Sequence, residues 1–126
     1  MSFLRDVQPV LDRHCAGCHT GLRPAGGVDL CGGLTAEHNR AYDTLVPSKT
    51  PTLLSVSNKH DDARISEPKA FGSHRSKLLD VLRDKKHRDV KLSPEDHLRL
   101  VTWIDANAVY HDRLIDKRPA NGAATT

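Results

Sequence analysis

The chain is 126 residues long, with 37% hydrophobic, 4% aromatic and 28% charged residues and a net charge of +3. That length points to one domain, the balanced charge excludes an acidic or basic disordered tail, and the short apolar runs exclude a bilayer span. The apolar share is low for a globular chain, so the expectation is a soluble single domain with a thin core that something else must complete.

Residues 2–14 set Phe3, Leu4, Val7, Val10 and Leu11 on one helical stripe. Pro9 interrupts it, which predicts a kinked or two-step helix in which Asp6 caps the second start and the proline lies in its first turn. Residues 15–34 contain six glycines and read as loop. Thr35 is the expected cap of a short helix whose apolar face is His38, Ala41, Tyr42 and Leu45 and which stops at Pro47. Residues 47–72 hold Pro47, Pro51 and Pro68 without a sustained period, a loop of the length that is usually functional or packed on something, with a short strand expected at 52–57. Ser73 opens a third helix to about Arg83, with Leu78, Leu79 and Leu82 facing inward.

The last helix is the best signalled. Ser93 supplies an N-cap, Pro94 the first helical position, and Glu95 and Asp96 the acids of the first turn. Its expected core face is Leu98, Val101, Ile104 and Ala108, widened by Leu100 and Trp103. Residues 119–126 are small and polar and are expected to fray, leaving 1–118 as the domain. The predicted fold class is all-α, about four helices with long loops.

Charge is uneven along the chain. The first 63 residues carry six Lys/Arg against seven Asp/Glu and the remainder thirteen against nine. The excess concentrates at Arg83, Lys85, Lys86, Arg88 and Lys91. With so few aromatics for stacking this is no nucleic-acid binder. It reads either as a solvated loop or as a docking patch for an acidic partner.

Cys15-Ala16-Gly17-Cys18-His19 is a C-x-x-C-H, the attachment signature of c-type haem. Two thiols three residues apart on one turn can each add to a vinyl group of the same porphyrin, and the adjacent histidine then lies beneath the ring to bind iron. Small residues between them, Ala16 and Gly17, let the backbone approach the macrocycle. The rival reading takes Cys15, Cys18, Cys31 and His38 as C-x2-C-x12-C-x6-H zinc ligands, which would also account for a weak core but leaves His19 without a role. A redox disulfide between Cys15 and Cys18 is a third reading, without the βαβ pattern that usually surrounds one. Cys31 itself reads as a free, partly buried thiol.

The segments VQPVLDRHCAGCHTG, GGVDLCGG, AYDTL, FGSHRSKLLDVL and HRDVKLSPEDHLRLVTWIDANAVYH run over nearly the whole chain. Together they resemble the planctomycete-type monohaem cytochrome c domains of multidomain proteins, among them the C-terminal haem domain of hydrazine synthase alpha subunits. The resemblance implies one covalent haem c wrapped by the helices and loops, export across a membrane, and electron transfer within a larger protein. It also implies a histidine ligand at the position of His87. Cys31 stands where the family has a small or hydroxyl residue, and Ala41 where serine is common.

Iron in such a domain takes a second axial ligand. The sole methionine is Met1, so a His/Met centre, with its raised potential, is not expected. Of the remaining histidines, His87 lies in a loop between two helices from which it can swing over the ring. His74 is the second choice. His14 is too close to the first cysteine, and His38, His60, His97 and His111 read as ordinary exposed or hydrogen-bonded side chains.

The resulting expectation is a low-potential, bis-histidine cytochrome domain, with thioethers at Cys15 and Cys18, His19 proximal and His87 distal. It would pass single electrons to a redox partner protein or a fused catalytic domain, with no membrane insertion. No paired acid–base constellation supports an enzyme. The alternatives are a five-coordinate haem with an open site for catalysis or gas sensing, and a zinc-stabilised binding module. No leader is visible, yet thioether attachment belongs to the periplasm or another exported compartment, so a mature product or excised domain is expected.

Overall fold

A computed structural model describes residues 1–46, 54 and 72–111. Among these, helices carry the architecture, in the order α1 (Gln8–His14), α2 (Arg40–Leu45), α3 (Lys77–Arg83) and α4 (Pro94–Asp105). The only β pairing among the described residues is an isolated bridge between Leu34 and Asn39. Among the described residues, no helix is long and apolar enough to cross a membrane. The expected strand at 52–57, the rest of the 47–72 loop apart from Leu54 and Gly72, and the 119–126 tail lie outside the described residues.

The N-terminal segment is two-step, as Pro9 requires. A π-helical turn, Phe3–Val7, leads into α1, and the proline occupies its first turn. Asp6 does not cap α1 as expected. Its carboxylate accepts the Ser2 N–H at 2.8 Å and so closes the preceding turn instead. Leu4 is about half exposed, because the π turn rotates it off the stripe that buries Phe3, Val7, Val10 and Leu11.

The α2 cap also moved. Asn39, not Thr35, precedes the helix and accepts the Tyr42 N–H on its side chain at 2.9 Å. The Thr35 hydroxyl accepts the His38 N–H at 3.1 Å, one turn earlier. Both residues are good caps; the later one wins because Asn39 is wholly buried and hydrogen-bonded on both sides of its amide. The third helix is likewise delayed. Ser73–Arg75 form a 3-10 turn and α3 begins at Lys77. Gly72 needs a positive φ of 86°, and a Cβ there would come within 2.5 Å of the Asp105 carboxylate. That carboxylate accepts the Ser73 N–H at 2.8 Å, pinning the start of this region to the end of α4.

α4 starts as expected, with the Ser93 hydroxyl accepting the Asp96 N–H at 3.1 Å. Its buried face is Leu100, Trp103 and Ile104, whereas Leu98 is 63% exposed. Of the expected face, Leu100, Trp103, Ile104 and Ala108 are buried and Val101 half-buried, and Leu98 alone turns outward. The reason is aromatic: Phe3, Tyr42, Trp103 and Tyr110 form one cluster, with Phe3 centroids 5.2 Å from both Tyr42 and Trp103 and 5.8 Å from Tyr110. Trp103 is fully buried against Phe3 and Tyr42 and donates its indole N–H to the Val109 carbonyl at 2.8 Å. Edge-to-face and tilted pairs of this kind add to the burial of the rings. The Tyr42 hydroxyl donates to the Ala108 carbonyl at 2.7 Å, closing the chain after α4 onto α2. Few aromatics thus make a concentrated core rather than a thin one.

Candidate functional site

The cysteine motif is built on the end of α1. The N–H groups of Cys15 and Ala16 both return to the Leu11 carbonyl, and those of Cys18 and His19 both return to the Cys15 carbonyl. This turn brings the two thiols and the imidazole out of one tight loop. All three cysteines are free thiols, so the Cys15–Cys18 disulfide is not formed. Cys18 is exposed, while Cys15 is partly buried and its thiol is pushed up by that burial.

His19 is held at one nitrogen. Its Nδ1 lies 3.1 Å from the Val28 carbonyl oxygen. A carbonyl only accepts, so Nδ1 carries the proton, and in the neutral ring Nε2 keeps its lone pair for a metal. The His19 carbonyl in turn accepts the Leu30 N–H at 2.7 Å. The segment 28–30 therefore grips the histidine by both side chain and backbone.

His87 closes the 3-10 turn Lys85–His87, between α3 and α4. The turn is made by local bonds: the His87 N–H donates to the Asp84 carbonyl, and the Val90 N–H to that of His87, each at 2.9 Å. Leu82 and Leu92, on either side of the turn in sequence, pack against the core and anchor its ends. The His87 ring stands parallel to that of His19, at 10°, with centroids 6.2 Å apart. Its Nδ1 is buried without a hydrogen-bond partner among the described residues, an arrangement that is costly for a ring nitrogen left to itself.

That spacing is a test of fit. A metal–imidazole bond is about 2 Å long, and the ring centre lies about 1 Å beyond the ligating nitrogen. Two imidazoles sharing one metal ion from opposite sides thus have centroids about 6 Å apart. The pair His19 and His87 has that separation and nearly parallel ring planes, so the residues present fit a bis-imidazole centre. His74 is exposed on the Ser73–Arg75 turn.

The zinc-type set is not assembled. Among the described residues, which include Cys15, Cys18, Cys31 and His38, no three His, Cys, Asp or Glu side chains form a group able to hold a metal ion. His38 is engaged elsewhere: its Nδ1 is 3.1 Å from the Asp43 carboxylate, and its ring packs on Tyr42 and Tyr110. His60 lies outside the described residues.

Two buried polar centres support the site and were not foreseen. Asp96, expected only as a first-turn acid, is buried and receives Arg13 at 2.7 Å, Arg99 at 2.9 Å and His14 at 3.0 Å. These hydrogen bonds, that of His14 foremost, hold its carboxyl down at about 2. The cluster ties the residues just before Cys15 to the start of α4. The second centre joins Gln8 to Asn39, whose side-chain N–H donates to the Gln8 side-chain oxygen at 3.0 Å. Asn39 carried a local signal, since it is a strong capping residue. Gln8 and Asp96 have near neighbours in Asp12 and Arg99, but Asn39 and Leu30, and Arg13 and His14, are distant in sequence, and nothing local marks those partners.

No family model matches this chain, and no solved structure matches it. It is similar to hydrazine synthase subunit alpha of Kuenenia stuttgartiensis, at 27% identity over 124 aligned positions. The match covers 86% of this chain but 15% of that protein. The chain therefore resembles one portion of a much longer subunit.

Proposed function

We propose that this chain is a c-type monohaem cytochrome domain for single-electron transfer, carrying one haem c on Cys15 and Cys18 with His19 and His87 as axial ligands. The observation that carries the reading is the parallel pairing of His19 with His87 at 6.2 Å, one from the C-x-x-C-H turn and the other from the far side of the sequence. Similarity to part of a hydrazine synthase alpha subunit supports it. When bound, the haem supplies a reversible one-electron couple.

The protein's own contributions follow from named groups. The Cys15 and Cys18 thiols provide the covalent anchors. The Val28 carbonyl holds the proton on Nδ1 of His19 and leaves Nε2 free to ligate. His87, on a turn tied down by local bonds and flanked by Leu82 and Leu92, would supply the second imidazole. Two imidazoles and no methionine favour a low potential. The exposed Lys85, Lys86, Arg88 and Lys91 beside His87 set a positive field there, which would steer an acidic redox partner, whether a separate protein or a fused catalytic domain. Covalent haem attachment belongs to the periplasm or another exported compartment, so the reading carries that location with it.

The test is a pyridine haemochrome spectrum on protein made together with cytochrome c maturation factors. One covalent haem per chain is expected, lost when Cys15 and Cys18 are both replaced by alanine. Colourless wild-type protein, or haem removed by acid–acetone extraction, would overturn the proposal. A high-spin spectrum of the loaded protein would instead favour an open-site haem for catalysis or gas sensing.

A further inference from the structure

We infer that Gln8 and Asn39 form a buried amide brace that positions His19, acting through the 28–30 segment; the inference rests on the haem reading above. The chain of contacts is continuous. Asn39 is fully buried, and its side-chain oxygen accepts the Tyr42 N–H at 2.9 Å, fixing its orientation at the start of α2. Its side-chain nitrogen donates to the Gln8 oxygen at 3.0 Å. The Gln8 nitrogen is thereby turned toward the loop, where it donates to the Leu30 carbonyl at 3.2 Å and to the Asp12 carboxylate at 2.9 Å.

Leu30 donates its own N–H to the His19 carbonyl at 2.7 Å, and two residues earlier the Val28 carbonyl accepts from His19 Nδ1. Each link uses both hydrogen-bonding capacities of a buried amide, so neither side chain has a free choice of rotamer. The α2 side adds a second grip, since the Ala41 N–H donates to the Cys31 carbonyl at 3.1 Å and the Arg40 N–H to the Gly33 carbonyl at 2.9 Å. The loop after the cysteine motif is thus held between α1 and α2 by amides rather than by apolar contact alone.

The consequence is electronic as well as structural. A hydrogen bond from Nδ1 to a carbonyl raises the basicity of the ligating nitrogen, and partners in this position tune a bound metal. A stronger donor favours the oxidised metal. Slackening the brace lets the Val28 carbonyl drift from Nδ1 and shifts the potential upward. Gln8 and Asn39 are positioning residues, because neither is within reach of the ligating nitrogen on the contacts described.

The test uses the haem-loaded protein and two variants. Gln8→Glu retains an acceptor for Asn39 and removes the donor to Leu30. Asn39→Asp retains the α2 cap and removes the donor to Gln8. In the reduced state, solvent exchange of the His19 Nδ1 proton is followed by NMR, and the midpoint potential by redox titration. Exchange about tenfold faster than wild type, the scale of one lost hydrogen bond, with a positive shift in potential in both variants, is the expected result. Folded variants with lowered melting temperature but unchanged exchange and potential would show a purely structural role and overturn the inference. Failure of the wild type to attach haem would instead overturn the functional reading itself, a separate outcome.

Discussion

Replacing Phe3 by alanine tests the docking of the N-terminal helices that present the cysteine motif. Phe3 is fully buried, its ring meets Tyr42, Trp103 and Tyr110 within 5.2–5.8 Å, and its N–H donates to the Tyr110 carbonyl at 3.1 Å. Burial of that ring and the cavity left by its loss amount to about 3–5 kcal/mol, and the three ring pairs push the value toward the upper end. A domain of this size is stable by roughly 5–15 kcal/mol, so the change removes a large fraction. With a slope of about 2 kcal/mol per M, the urea midpoint falls by about 2 M. Equilibrium urea unfolding of the haem-loaded protein, followed by far-UV circular dichroism, measures it. Phe3→Leu keeps most of the buried volume and is expected to lose less than half as much. A midpoint for Phe3→Ala within a few tenths of a molar of wild type would refute the packing described.

Other outcomes follow from the same geometry. The Asp96 carboxyl, held at about 2 against an ordinary 3.8, contributes stability that is fully present above the ordinary value and is lost as pH falls through about 2; Asp96→Asn is expected to flatten the stability–pH curve across that window in acid titrations of the melting temperature. Reversing Lys85 and Lys86 to glutamate is expected to slow reduction or oxidation by an anionic reagent severalfold at low salt and to speed reaction with a cationic one. Both effects should fade near 1 M salt, where screening acts over about 3 Å; rates independent of salt would remove the steering role. His87→Ala is expected to convert a low-spin visible spectrum to a high-spin one, reversed by added imidazole, and an unchanged spectrum would exclude His87 as a ligand.

Local chemistry was legible in the residues themselves. The Ser93-Pro94-Glu95-Asp96 start, the break at Pro9 and the C-x-x-C-H turn all depend on bonds within a few positions, and each appears where its residues stand. What escaped was set by distant partners. Leu98 and Trp103 both fit the apolar period of α4, yet only contact with Phe3 and Tyr42 decides that Trp103 turns inward and Leu98 outward. Trp103 was expected to widen the core face of α4, and it is fully buried there against Phe3 and Tyr42. Thr35 and Asn39 were equally good caps, and burial beside Gln8 selected Asn39. His87 was reachable from its place in a loop, whereas its parallel alignment with His19 is a property of the folded chain.

The electron paramagnetic resonance spectrum of the oxidised, haem-loaded protein at low temperature tests the central claim most directly. With both rings bound to one haem iron, imidazole planes 10° apart would overlap the same iron d orbital and split its energy from that of its partner. A rhombic low-spin signal near neutral pH is therefore expected. A high-spin signal would show an open or water-filled position, and a strongly anisotropic low-spin signal would show crossed ligand planes; either would contradict ligation by the His19–His87 pair as the structure aligns it.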